Sequence, residues 1–160
     1  MSQHPYRLAV VAAFAVALFP VAAARAQART VDESEHTAEA LIAITNHWSD
    51  AEAQGDTAYL NRLLAPEYRS VNVDGTSYPK ERIVAGALRR GSPAAVTELA
   101  RWRKEHHHGT SVVIDDATAV VTYYNPELGA QRGITSADVL VYRSNHWQAL
   151  YSSHTAAKQG

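Results

Sequence analysis

Asp138-Val139-Leu140-Val141-Tyr142-Arg143, then Ser144-Asn145, then His146-Trp147-Gln148-Ala149-Leu150-Tyr151-Ser152-Ser153-His154 is the stretch on which the fold reading turns. On both sides of Ser144-Asn145, β-branched and aromatic residues recur at period two, the pattern of paired antiparallel strands. An ionisable residue stands at each far end, Asp138 and His154. A carboxylate opening so apolar a strand needs a reason. Lining a water-poor pocket is one, since a carboxyl held there can stay protonated and act as donor or acid. An Asp bonded to a neighbouring backbone N–H is the other, and the residues alone leave both open.

Working outward, the preceding segments also read as strands: Arg101 to Ile114, a turn at Asp115-Asp116, Ala117 to Tyr124, and an irregular loop from Asn125 to Gly129. The first half of the chain is helical. Ala38, Leu41, Ile42, Thr45 and Trp48 recur at helical spacing until Gly55, and Asp56 is a good N-cap for a short second helix bearing Tyr59, Leu60, Leu63 and Leu64 that closes at Ala65-Pro66. A strand from Tyr68 to Val73 runs into the turn Asp74-Gly75. Ser77-Tyr78-Pro79 then opens a third helix with the stripe Ile83, Val84 and Leu88, finished by Arg89, Arg90 and Gly91. Ser92 to Ala100 reads as loop. Helices followed by an antiparallel sheet make an α+β fold with the sheet curling over the helices.

The ends and the composition narrow the function classes. Arg7, the apolar run Leu8 to Val21 and the small residues Ala22 to Ala28 have the form of a signal peptide, cleaved after Ala26 or Ala28. That predicts a periplasmic or secreted protein, with no membrane attachment after cleavage. Residues 27–36 then read as a flexible lead, 37–156 as a single domain and 157–160 as a tail. Removing residues 1–26 takes Arg7 and Arg25 and no acid, so 13 basic residues face 16 acidic ones in 134 residues, a net of −3. No nucleic-acid surface is expected from that balance. One domain with a proper core fits the length, and with no cysteine its stability comes from packing.

The order of elements and several short motifs resemble the nuclear transport factor 2-like superfamily, in its bacterial SnoaL-like branch. The matching residues are Trp48, Ala51, Gly55-Asp56, Leu60, Leu63-Leu64-Ala65-Pro66-Glu67-Tyr68, Asp74-Gly75 and Lys80, then Asp138-Val139, Val141, His146-Trp147-Gln148 and Ser152-Ser153-His154-Thr155. They span almost the whole mature chain. The resemblance implies a cone-shaped curved antiparallel sheet wrapped on N-terminal helices, an apolar pocket between them, and a homodimer formed through the outer face of the sheet. It does not imply one function, because members include isomerases, dehydratases, cyclases and hydrolases alongside binding proteins.

Within that resemblance Asp138 matches the acid that helps hold an oxyanion in ketosteroid isomerases. The chain departs from those enzymes elsewhere: Trp48 stands where they have a tyrosine, and Asn72 where they have the general-base aspartate. Steroid isomerisation by that route is therefore not expected. His154 is the remaining base near neutral pH, and on adjacent strands Asp138 could hydrogen-bond to it and orient its ring. A purely structural pair is the competing reading.

The run Lys104-Glu105-His106-His107-His108-Gly109 is the second feature. On a strand, His106 and His108 would share a face with Trp102 and Lys104, and with His154 could bind zinc or copper; the usual metal spacings are absent, and solvated histidines are the plainer reading. Facing the pocket, they would instead add a proton carrier. Tyr68 and Tyr142, with Trp48, supply aromatic surface for a small apolar or aromatic molecule. No phosphate loop, nucleophile elbow or paired catalytic carboxylates are visible, and no cofactor or resident metal is expected. The leading expectation is cofactor-free acid-base chemistry of the lyase, dehydratase or isomerase type, with His154 and Asp138 catalytic and Trp48, Tyr68, Asn72, Tyr142, His106 and His108 around the substrate. A non-catalytic module binding a small ligand or a partner is the alternative, and a histidine-based metal-assisted hydrolase or lyase a lesser one.

Overall fold

A computed structural model describes residues 31–155. The expected signal peptide, most of the lead's first half and the tail lie outside the described residues. Helix α1, Ala38–Gln54, opens with Thr37 accepting a hydrogen bond from the Ala40 N–H and ends at Gly55, whose φ of 75° is the left-handed conformation that glycine takes without strain. Helix α2, Thr57–Leu63, opens with Asp56 accepting from Tyr59 N at 3.0 Å. Strand β1, Leu64–Val71, follows without a loop, so Ala65-Pro66 begins a strand rather than trailing a helix. The short β2, Ser77–Pro79, pairs back on β1, and α3, Lys80–Arg90, starts only after it. Lys80 ties these pieces together, its Nζ donating to Leu64 O and Asn61 O, each at 2.7 Å.

Residues 93–105 depart most from expectation. They form a helix, α4 (Pro93–Glu105), across what reads in the sequence as loop and the start of a strand. The physical reason is a complete start signal: Ser92 Oγ accepts from Ala95 N at 3.2 Å, and Pro93 occupies the first turn, where its missing N–H costs nothing. No residue of α4 is buried, although Val96, Leu99 and Trp102 recur at helical spacing. It is tied to α1 instead by Arg103, which donates to Asp50 Oδ1 at 2.6 Å and Asn46 O at 3.0 Å. His106 is consequently a helix C-cap and the alternation argument for the histidine run fails, because the strand β3 begins only at Gly109.

The remaining strands are β3 (Gly109–Asp115), β4 (Thr118–Tyr124), β5 (Ile134–Arg143) and β6 (His146–His154). Ser144 and Asn145 both have positive φ, 51° and 63°, the two-residue turn whose twist suits a hairpin. Six strands form one curved, unclosed sheet in the order β2-β1-β6-β5-β4-β3. It is antiparallel throughout except where β1 runs parallel to β6, which corrects the expectation of a wholly antiparallel sheet. Chain returning to β1 after two helices and four other strands is not constrained by a hairpin and can lie either way.

Cross-strand partners share a face, and the registers therefore lay out the inner face in rows. Ile114, Ala119, Leu140, Ala149 and Leu64 make one apolar row under Leu41 and Ile44 of α1 in the core. The next row runs Val112, Val121, Asp138, Ser152, Ser70, Tyr78, and the last Thr110, Tyr123, Ser136, His154. Along every strand the inner face passes from core to polar cavity. The part of the lead that is described packs against this body: Trp147 Nε1 donates to Glu35 O at 3.0 Å, and His36 stacks on Tyr142 and Trp147 with ring centroids 4.2 and 4.9 Å away.

Candidate functional site

A cavity of about 590 Å³ opens where the polar rows of the sheet meet α1, α3 and α4. Asp138, Ser152 and Tyr68 form its best-ordered part. Tyr68 Oη donates to Ser152 Oγ at 2.9 Å, and Ser152 Oγ donates to Asp138 Oδ1 at 2.6 Å. All three residues are buried, Asp138 at 8% exposure. The relay points toward the carboxylate, and the Ser152 O–H at its end favours the charged form of Asp138. Burial opposes it more strongly and pushes the Asp138 carboxyl from its ordinary 3.8 up to about 6. Its second oxygen takes no hydrogen bond from a described residue, yet no buried side-chain polar atom is left without a partner; that oxygen therefore faces the cavity.

Glu52 on α1 lies across the same cavity. Its Oε1 accepts from Trp48 Nε1 at 2.8 Å, and loss of water raises its pKa, aided by the negative charge of Asp138 and opposed by the Trp48 bond and by Arg90 and His154. Two carboxyls held above their ordinary range thus face one space, which is the arrangement from which acid and base roles are built. The Tyr68 and Tyr123 hydroxyls are pushed the other way from usefulness as bases: burial raises both pKa values, so they stay neutral donors. Trp48 meets Tyr68 edge to face at 5.7 Å and forms the aromatic wall.

Among the residues singled out from sequence, Asp138, His154, Trp48, Tyr68, Asn72 and His108 line the cavity. His154 and Asp138 are on adjacent strands, but His154 pairs with Ser136 and Asp138 with Ser152, one row apart. The anticipated bond between them is not formed, because neighbours in successive rows are about 7 Å apart; His154 Nε2 lies 3.4 Å from Ser70 Oγ instead. Tyr142 sits outside the cavity, tilted against His36 and edge to face with Trp147 at the core end of its strand. His106 also lies outside it, stacked 5.2 Å from the Trp102 ring. His108 faces Tyr123 edge-on at 5.4 Å. The three histidines proposed for a metal do not converge, and among the described residues no group of three or more His, Asp or Glu side chains is placed to hold an ion.

The lining is polar where an apolar pocket is implied by the resemblance. Thr45, Ser49, Glu52, Ser70, Asp138 and Ser152 alternate with the aromatic rings, and Arg82, Arg89, Arg90 and Arg103 line it from α3 and α4. Glu52 and Ser152 are the functional residues missed in sequence. Glu52 is four residues beyond Trp48, hence on the same helical face, and that spacing was its signal.

The comparisons agree with this architecture. The CaMKII hub of S. rosetta superposes with a TM-score of 0.54 at 15% identity, over 77% of this chain and 98% of the hub. The chain has a nuclear transport factor 2-like fold. An NTF-2 like protein of unknown function from Silicibacter pomeroyi DSS-3 matches with a TM-score of 0.50 at 15% identity, over 72% of this chain and 91% of its own. At that identity the likeness is one of fold. No protein-family model and no curated protein sequence matches the chain.

Proposed function

We propose that this nuclear transport factor 2-like domain binds a small molecule in the cavity and moves a proton on it without a cofactor, as a lyase, dehydratase or isomerase does. The observation that carries the reading is Asp138: buried, fed by a two-hydroxyl relay, open to the cavity on its other oxygen, and poised at about 6. A carboxyl with that pKa is mostly ionised at neutral pH and about a tenth protonated, which suits it to accept a proton and return it. Glu52 is the second carboxyl, pushed up from its ordinary range by burial. His154 stands one row outward as a proton carrier toward solvent, with Asn72 and His108 along the wall. Tyr68 holds Ser152 in register and does not itself ionise. A volume near 590 Å³ is within the range of small-molecule sites.

Export and dimerisation belong to the same reading. Arg7 to Ala28 supports a periplasmic or secreted location. Val113, Val120, Val139 and Tyr151 form one row across four strands on the outer face of the sheet, and three of them are aliphatic, which supports a homodimer through that face.

The test is hydrogen–deuterium exchange on small molecules rather than on the protein. A library of enolisable ketones, aldehydes and acids is incubated in heavy water with the protein and read by proton NMR for loss of C–H signals. Exchange that disappears with Asp138→Asn and falls with Glu52→Gln supports proton transfer. Compounds that bind, judged by Trp48 fluorescence, and never exchange would leave a binding module as the reading.

A further inference from the structure

The cavity has a second charge system, on α3 and α4, that proton transfer does not use. Two of its four arginines are engaged: Arg103 by Asp50 and Asn46, and Arg82 by the Tyr78 ring, 5.1 Å from its guanidinium. Arg89 and Arg90, adjacent in the last turn of α3, line the cavity and make no side-chain ion pair or hydrogen bond among the described residues. Cations in that turn also offset the negative end of the helix dipole. That accounts for their sign but not for where Arg90 lies. Its guanidinium is laid back over Gly86: a Cβ added there would sit 3.0 Å from Nη2 and 3.2 Å from Nη1. Glycine inside a helix is a destabilising choice, and here the missing side chain leaves the groove that the guanidinium occupies. The positive charge of Arg90 reaches Glu52 without pairing with it.

The charges thus divide the cavity, with Asp138 and Glu52 on the sheet and α1 and free guanidinium groups at the end of α3. A molecule negative at one end and neutral at the other enters such a space in a single orientation. We propose that the ligand is a small organic acid, its carboxylate held by the Arg90 and Arg89 guanidinium groups and its neutral end laid past Trp48 toward Asp138. This rests on the reading of the cavity as a small-molecule site. A guanidinium presents paired N–H donors that match a carboxylate, giving charge-assisted bonds stronger than neutral ones. The same cations stabilise negative charge that develops on the ligand when a proton leaves it.

Phenylacetate and its neutral isostere phenylacetamide are the probes, titrated into the whole mature protein by calorimetry. The acid is expected to bind about tenfold tighter or more, as one charge-assisted pair warrants. Arg90→Met and Arg89→Met should each shrink that ratio, with the amide affinity unchanged as the control for folding, and their combination should bring it to about one. Arg90→Lys, which keeps charge and loses the fork, should retain only part of it. Gly86→Ala should lower the ratio by displacing the guanidinium while thermal stability does not fall. Asp138→Asn should keep the preference, so loss of exchange and loss of anion selection report separate failures. Equal affinities, no binding of either probe, or a preference that survives the double arginine substitution overturns the proposal.

Discussion

Replacing Asp138 by Asn should stabilise the protein at neutral and alkaline pH, the reverse of what removing a buried hydrogen-bonded residue usually does. Burial holds the folded-state pKa near 6 against 3.8 for an ordinary aspartate. Between those values the unfolded chain has already released the proton that the folded chain keeps, so raising the pH favours unfolding. The stabilising contribution of the neutral carboxyl is complete below about pH 4 and lost as the pH rises through about 6. A shift of roughly two units is worth about 3 kcal/mol, and with only 8% of the residue exposed, solvent screening removes little of it. Asn keeps an oxygen for the Ser152 O–H, and the preference of that bond for a charged partner is already contained in the value near 6. The net expectation is a variant more stable than the parent by about 3 kcal/mol above pH 7 and equal to it below about pH 4. Urea unfolding followed by tryptophan fluorescence at a series of pH values measures this directly. Comparing the two proteins at each pH cancels the titration of every other group. A difference that stays constant with pH, or that favours the parent as pH rises, would refute the claim that Asp138 is held above its ordinary range. Increased stability together with lost proton exchange would mark a residue kept for function at the expense of folding.

The remaining perturbations probe the neighbours of that carboxyl. Ser152→Ala removes the one hydroxyl that favours ionised Asp138 and orphans the Tyr68 O–H, so the Asp138 pKa should move further up in a carbon-13 NMR titration, at a stability cost of about 1–3 kcal/mol. Trp48→Phe takes the indole N–H donor from Glu52 and should raise the Glu52 pKa, which the same titration reads at its own resonance. His154→Ala removes an exposed side chain whose hydrogen bond to Ser70 is 3.4 Å long, and should leave unfolding within about 0.5 kcal/mol while slowing proton exchange with the probe molecules. A larger stability loss there would assign His154 a structural role.

Much of the fold could be read because its local signals are chemically redundant. Gly55 and Asp56 end one helix and start the next, and both do so here with the cap bonds expected of them. Ser144-Asn145 takes the turn that its flanking alternation demands. Helix α4 escaped, under a reading as loop and strand, although it was legible: Ser92-Pro93 gives its start, and Val96, Leu99 and Trp102 recur at helical spacing although none becomes buried. The parallel neighbour relation of β1 and β6 escaped for another reason, since no local residue encodes which strand a distant one will meet.

The site itself was half legible, and the reason lies in a single residue. Strict alternation along β6 from the buried Trp147 and Ala149 would carry Tyr151 and Ser153 inward and leave Ser152 and His154 on the outer face. The registers Leu140 with Ala149 and Val139 with Tyr151 leave Leu150 as an extra residue. That bulge exchanges the faces, so Ser152 is buried against Asp138 and Tyr151 is exposed. Periodicity was therefore a sound guide to the strand and a false guide to its last four residues, where only the resemblance pointed His154 toward the pocket. Bulges cluster beside functional sites because they aim side chains that regular pleating cannot. Deleting Leu150 is the corresponding experiment: Tyr151 then follows Ala149 directly, and strict alternation keeps Ala149 and Ser152 inward and Tyr151 outward, with Ser152 still opposite Asp138. The folded deletion protein should therefore keep the Ser152–Asp138 bond and proton exchange with it, whereas loss of both would show that the bulge itself, and not the register beyond it, aims Ser152 at Asp138.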